Sequence, residues 1–414
     1  MKKSSLRHSL FGILRFKTVL LILHFLPSYA KADVAEEVSA EFYFREKASV
    51  VELEKNSSGL TEIRRQLIAS RRAFALGLLA LISASLLSIV TATGIGRLHF
   101  PWETVIEAIG QGLGLLKSDT VERTPLLVVF DIRLSRVLLS FLVGSALGVA
   151  GCVFQGVLRN PLADPFTIGV ASGAAFGAAL ALSLGLGGTS YLGLGTIPLL
   201  ALLGALGALT LVVILGRVQG RVRRDTLVLA GIVVATFLSA LIALVKALDE
   251  EAVSAIVFWV MGSFQGRGWI HVGFSLPYMA LGLYLVLRQS RELDILTLGE
   301  VQARQLGVEV EKVRIRLLIG GSLLTAAAVS VSGVIGFVGL VIPHLVRMCL
   351  GATHQRLMIL SALLGGLALL WSDVVARTLL PGGEELPVGV VTALVGGPFF
   401  CLLLKRRKGG VILD

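Results

Sequence analysis

The sequence predicts an all-α polytopic membrane protein with about ten transmembrane helices, a short external re-entrant helix and a cytoplasmic helix pair. Three observations carry this. The 414 residues are 55% hydrophobic and only 16% charged, where soluble domains average about 25% charged, and mean hydropathy is +0.85. The charges cluster between apolar runs of roughly twenty residues, the length that crosses a bilayer as a helix. Cationic clusters recur after every second run, as they do on the inner side of a membrane protein. The 47 glycines fit the same class, because small residues let membrane helices approach closely. The formal charge of +11 then belongs to internal loops beside lipid headgroups rather than to nucleic-acid binding. Cys152, Cys349 and Cys401 lie in or beside apolar segments without metal-ligand spacing and read as packing residues.

Residues 1–72 form an atypical extension. Lys2, Lys3 and Arg7 precede the apolar Val19–Leu26, and Ala30-Lys31-Ala32 resembles a signal-peptidase site. A processed signal would place the next forty or so residues outside, yet Arg64, Arg65, Arg71 and Arg72 mark that end as inside. Either the apolar run is not a cleaved signal or translation starts later. Residues 31–60, charged and poor in apolar side chains, read as disordered or loosely attached. The membrane domain is expected over 73–408, with 409–414 as an internal tail.

From Ala73 the topology follows from parity. Arg71/Arg72, Arg159, Arg217–Arg224, Arg288–Arg316, Arg347/Arg356 and Lys405–Lys408 mark the inside. Each interval holds an out-and-back excursion, giving spans near 73–95, 136–158, 167–186, 191–216, 226–248, 271–289, 313–333, 336–350, 357–379 and 388–404, with both ends inside. The eighth is short and holds Pro343. Gly169, Gly173 and Gly177, at four-residue spacing, form a close-packing face. Between spans two and three, Arg159-Asn160-Pro161-Leu162-Ala163-Asp164-Pro165 cannot remain helical. It reads as a polar elbow, and the simplest account has Asn160 and Asp164 accepting hydrogen bonds from nearby backbone N–H groups. Outside, residues 96–135 contain a surface helix after Pro101. Residues 249–270 form a re-entrant or interfacial helix, with Trp259 and Trp269 at the headgroup level.

Several cations fall on the side that parity calls outside. Arg133 and Arg136 open span two, Arg377 closes span nine, and Arg267 lies in the re-entrant stretch. They anchor lipid phosphates or form a docking surface for an acidic external partner, to which the planar arginine fork is suited. Asp373, four residues before Arg377, reads as its helical ion-pair partner. Inside, residues 298–316 comprise a short helix over Glu300–Leu306, a break at Gly307 and a second short charged helix. This is an amphipathic interfacial pair or a surface pushed by a cytoplasmic motor.

The absences narrow the chemistry. No G-x-x-x-x-G-K-[ST], H-E-x-x-H, nucleophile elbow or Cys/His cluster occurs, so no catalytic or metal-binding residue is assigned. Asp373, His344 and Lys246 are the main ionisable groups in the spans, fewer than an ion-coupled carrier needs at mid-membrane. A secondary transporter and a non-transport scaffold are the alternatives.

Seven motifs occur in order: DIRLSR, RNPLADP preceded by Gln155-Gly156, FWVMGS, LGEVQARQLG, GVIGFVGLVIPHLVR, SDVVAR and ELPVGVVTALVGGPFF. Together they resemble the FecCD-type permeases of ABC importers for iron–siderophore complexes, haem and vitamin B12, over about residues 70–408. The resemblance implies a non-catalytic bacterial or archaeal inner-membrane subunit that works beside a second copy or a paralogue. It implies two cytoplasmic ATPases that use ATP, and a periplasmic or lipoprotein substrate-binding protein; no cofactor is held by the chain itself. It assigns Arg133, Arg136 and Arg377 to docking of the binding protein. Glu300, Ala303, Arg304, Gln305, Leu306, Gly307 and Val308 fall to ATPase coupling. Gln155, Asn160, Pro161 and Leu162 fall to a gate at the inner mouth of the pathway. A second gate element before span five carries Arg223, Arg224 and Asp225 where the B12 member has small hydroxyl residues.

Overall fold

A computed structural model describes residues 57–116, 122–186, 190–191, 194–350 and 353–408. The signal-like features before residue 57 and the tail 409–414 lie outside the described residues. The chain divides into Met1–Ala73 and Phe74–Asp414. The architecture is all-α. Helix α1 is Ser57–Gly94, α2 Trp102–Gly112, α3 the continuous Arg123–Leu158 and α4 Val170–Ser183. Next come α5 Thr196–Leu215, α6 Arg224–Leu248, α7 Val253–Val260 and α8 Trp269–Arg288. Short helices α9 (Ser290–Leu298) and α10 (Glu300–Gln305) precede α11 (Val310–Ser332), α12 (Val338–Leu350), α13 (His354–Thr378) and α14 (Val388–Lys408). Two-residue strands form hairpins at Ser190–Tyr191/Leu194–Gly195 and at Arg217–Val218/Arg221–Val222.

Among the described residues, seven helices (α1, α3, α5, α6, α8, α11 and α13) are long and apolar enough to cross a membrane. The third, eighth and tenth expected spans fall on shorter apolar stretches, Val170–Ser183, Val338–Cys349 and Val388–Leu402. Two of the three are bounded by chain geometry. Gly169 starts α4 late in a left-handed turn (φ 79°), and an extended segment ending at Phe337 (φ 68°) feeds α12.

Two helices make the centre. In α11, 83% of the apolar stretch is buried and in α3 78%, against 11% in α1. Helix α3 packs on α13, α11, α12 and α8, and α11 also packs on α5 and α4. Their sequences explain the difference, because α3 carries Gly144, Gly148 and Gly151 on the faces turned to its neighbours. A Cβ on Gly144 would collide with the Gly365 carbonyl, one on Gly148 with the Ser361 carbonyl, and one on Gly151 with the Gly339 carbonyl. Backbone therefore meets backbone along the α3–α13 and α3–α12 contacts. Hydrocarbon offers no hydrophobic drive for helix association, so this close packing is a main source of attraction. Gly173 and Gly177 do the same against the Gly204 and Leu200 carbonyls of α5, as the four-residue spacing predicted.

Three expectations are corrected. Trp259 is not at a headgroup surface; it is buried, with its carbonyl against Gly333 at the end of α11. Trp269 is half-buried, its ring 5.1 Å from that of Phe130. The second charged helix after Gly307 is the first turns of α11, because Val310, Val313, Arg314 and Leu317 continue one buried face into the bundle. Of the cysteines only Cys152 is a core residue; Cys349 and Cys401 are exposed.

The glycine contacts set a stability test. Gly365→Leu should lower the detergent-solubilised thermal midpoint by the equivalent of more than about 2 kcal/mol, because overpacking costs roughly 1–3 kcal/mol even where side chains can shift and here the obstacle is backbone. Gly207→Ala on α5, which meets nothing within 4 Å, should leave the midpoint within experimental error.

Candidate functional site

The two ends of the bundle carry the candidate residues and take the names the cation pattern gives them, outer and inner. At the outer end α3 is not α-helical. Leu127–Leu134 forms a π-helical stretch that takes in the first four residues of DIRLSR, a distortion often found at functional sites. It contains Arg133, and Arg136 follows in regular α-helix; the two serve different partners.

Arg133 turns to the end of α1. Its Nη1 donates to the Gly94 carbonyl at 3.2 Å and its Nη2 to the Leu98 carbonyl at 2.6 Å. The guanidinium lies 5.6 Å from the Phe100 ring centroid, in space that only a glycine at 96 leaves open. Arg377 on α13 donates from Nη2 to the Ala92 carbonyl at 2.7 Å. The last carbonyls of a helix lack intrahelical partners and carry the negative end of its dipole. Two arginines from two other helices thus close the outer end of α1.

Arg136 turns to α13. Its Nε lies 3.0 Å from Asp373 Oδ2 and its Nη2 2.8 Å from Asp373 Oδ1, a two-pronged charge-assisted pair. Its Nη1 is 2.8 Å from Glu385 Oε2 in the segment after α13. Asp373 is fully buried, and Arg377 Nε stands 3.9 Å from it. The helical Asp373–Arg377 pairing expected from spacing is therefore secondary, and the bidentate partner comes from α3, distant in sequence. The three arginines share one cluster, yet each is under 10% exposed and already bonded within the chain.

At the inner end, α3 stops with Arg159 in the left-handed region (φ 48°) and the Asn160 N–H on the Gln155 carbonyl, a Schellman closure followed by Pro161. Asn160 Oδ1 accepts from the Leu162 N–H at 3.0 Å. Asp164 Oδ1 accepts from the Phe166 and Thr167 N–H groups at 3.1 and 3.0 Å. The turn chemistry expected of Asn160 and Asp164 is present, and Leu162 is exposed at the tip. Gln155 is elsewhere. It is buried, donating to the Leu340 carbonyl at 3.2 Å and accepting from Arg347 Nη1 at 3.4 Å, so it ties α3 to α12 rather than lining the elbow. Burial pushes the Asp164 carboxyl up to about 6, against the pull of the Thr167 and Phe166 N–H donors.

Beside the elbow stands α10, bracketed by Gly299 (φ 142°) and Gly307 (φ 80°). Ala303 anchors it in the core, while Val301, Arg304, Gln305 and Leu306 are exposed and Val308 is half-buried. Glu300 pairs with Arg314 of α11 and, at 3.4 Å, with Arg224 of α6. Partial burial pushes its carboxyl up, and the two guanidinium groups outweigh this and hold it below the usual range. Arg314 also donates to the Val222 carbonyl, and Glu311 accepts the Val222 N–H. These bonds bolt the hairpin Arg217–Val222 to α11; its turn residues Gln219 and Gly220 both have positive φ, as tight hairpins require. Arg159, Arg223, Arg224, Asp225 and Leu298–Gln302 enclose a polar cleft of about 440 Å³. The Glu300–Arg314–Val222 network was not foreseen; the sole sequence signal was an acidic residue at the start of a short helix. No cluster of metal-ligating side chains occurs among the described residues.

Two outcomes follow from this geometry. Asp373→Asn leaves Arg136 and Arg377 desolvated with less countercharge, and should cost about 3–5 kcal/mol of stability, read as a lower thermal midpoint in detergent, while Glu384→Gln at the exposed strap should be neutral. The raised value of Asp164 means the folded chain holds that proton more tightly than the unfolded chain. Its stabilising contribution is complete below about pH 4 and is lost as pH rises through about 6. Asp164→Asn should remove that part of the decline in thermal stability between those pH values.

The FecCD transport family matches residues 81–406. The ABC transporter permease protein YvrB of Bacillus subtilis is 43% identical over 326 residues, covering 78% of this chain and 91% of that protein. The cobalamin import system permease protein BtuC of Halobacterium salinarum is 40% identical over 308 residues, 74% of this chain and 80% of that one. The hemin transport system permease protein HmuU of Yersinia pestis is 40% identical over 283 residues, 67% and 83%. A solved metal-chelate type ABC transporter in an inward-facing conformation superposes with a TM-score of 0.67 at 34% identity, covering 80% of this chain and 98% of that one. With seven motifs in order, a helical bundle of the same architecture and a match over most of its length, this chain belongs to the FecCD transport family.

Proposed function

We propose that this protein is the non-catalytic membrane half of an ATP-driven, binding-protein-dependent importer in a bacterial or archaeal inner membrane, crossing it about ten times with its C-terminus inside. Its cargo is an iron chelate, with haem or a cobamide as the other members of the class. The observation that carries the reading is α10. It is a six-residue helix set between two positive-φ glycines, rooted by the buried Ala303, that holds Val301 and Leu306 out at 65% and 63% exposure. Apolar side chains placed on an otherwise charged loop are the signature of a surface that another protein covers.

In this reading one of two cytoplasmic ATPases seats on residues 300–308, and a second permease copy or paralogue completes the pathway and carries the other ATPase. The elbow Asn160-Pro161-Leu162 closes its inner mouth. A substrate-loaded binding protein docks on the outer face around Arg133, Arg136 and Arg377. ATP binding moves α10, and the bundle passes between outward- and inward-open states, a two-state element biased from both ends. The chain supplies no chemistry; its partners hydrolyse ATP.

The test is ATPase activity of the permease co-purified with its genomic ATPase in nanodiscs, with the neighbouring binding protein loaded in turn with ferric siderophore, haem or cobalamin. One loaded binding protein should stimulate hydrolysis, and that identifies the cargo. Leu306→Asp should abolish co-purification while leaving the permease folded. Failure of any ATPase to associate with the unaltered permease would remove the import reading.

A further inference from the structure

Arg136 holds two carboxylates, and they are held in different ways. Asp373 takes the Nε and Nη2 edge from a buried position on α13. Glu385 takes Nη1 alone, from a partly exposed loop position. Asp373 is also shared with Arg377, so of the two carboxylates on Arg136 it is Glu385, held through one nitrogen, that is the more loosely committed.

The segment that delivers Glu385 is an exposed glycine turn. Pro381–Gly383 is a single turn with Gly382 at φ 87° and Gly383 at φ 110°, values that glycine adopts without strain. A Cβ on Gly382 would meet nothing within 4 Å. The strap is tied down at its edges. Arg97 Nη2 donates to the Glu384 carbonyl at 3.1 Å, and the Leu386 N–H donates to the Ala376 carbonyl at 3.0 Å. Arg97 is exposed, so that tie competes with water.

We infer that Glu385 is an internal stand-in for a carboxylate of the external protein that docks on this face, and that docking proceeds by exchange. The strap 381–386 lifts, Arg136 Nη1 passes from Glu385 to an acidic side chain of the partner, and the Asp373 pair stays intact throughout. The inference rests on the import reading and adds to it the reason why the outer arginines are covered in the chain alone: an uncovered buried-edge guanidinium would carry a desolvation cost and attract any anion. Exchange of like for like leaves the charge of the cluster unchanged, which makes the surface selective for a partner that presents a carboxylate at that point.

The experiment measures binding of the immobilised, loaded binding protein to the permease–ATPase complex in nanodiscs. Glu385→Gln removes the internal competitor and should tighten binding roughly fivefold, the value of one exposed charge pair. Arg97→Gln, which loosens the strap without touching the cluster, should act in the same direction. Unchanged or weaker binding in both variants, with the complex still assembled, would overturn the exchange while leaving import in place. Absence of binding to the unaltered complex would overturn the import reading and the exchange with it.

Discussion

The rest of the structure depends on the contact between α3 and α13. It is made of two kinds of interaction that reinforce each other. Along its length Gly144, Gly148 and Gly365 bring backbone against backbone, which multiplies dispersion contacts in a setting where water supplies little driving force. At its outer end Arg136 and Asp373 form a buried two-pronged ion pair that only one helix register can satisfy. Buried charge of this kind contributes little net stability against a well-packed apolar alternative, but breaking it is costly. It therefore reinforces the register that the close glycine contacts already favour.

Once α3 is fixed to α13, the two ends of the molecule inherit their geometry. Outside, Arg133 and Arg377 reach the carbonyls of α1 from both of these helices, so the first long helix is closed by the pair it leans on. Inside, α3 ends in the Schellman closure at Arg159 and passes directly into the elbow. Helix α11, the other buried helix, carries Arg314 and Glu311 at its base. Those two side chains hold both backbone groups of Val222 and reach Glu300. The short helix α10, the hairpin before α6 and the elbow thus meet around one cleft. Helix α10 is tied through Glu300 and Arg314 to the hairpin and to α6 and α11.

Much of this architecture is legible in the chain. Apolar run length gives the order of the spans and the placement of arginines separates the two ends of the bundle, because the cost of burying charge in hydrocarbon acts on each segment separately. The elbow is legible for a similar reason: two prolines with Asn160 and Asp164 between them have few backbone solutions. The outer cations stand out by their side alone. Their partners do not, since spacing assigns Asp373 to Arg377 until α3 is placed beside it. Gln155 likewise is grouped with the elbow by the family resemblance, while its bonds go to α12 across the bundle.

The sequence by itself determined the class, the span order and the breaks, which follow from local hydropathy, turn chemistry and charge, and its motifs carried the family resemblance. Only the tertiary structure decided that Arg136 belongs to Asp373 and Glu385, that Trp259 is buried, that Gln155 is a brace and that Glu300 joins three elements. These are contacts between residues as distant in the chain as Arg136 and Glu385. No local rule ranks such partners, because the choice is made by which helices can bring their backbones together.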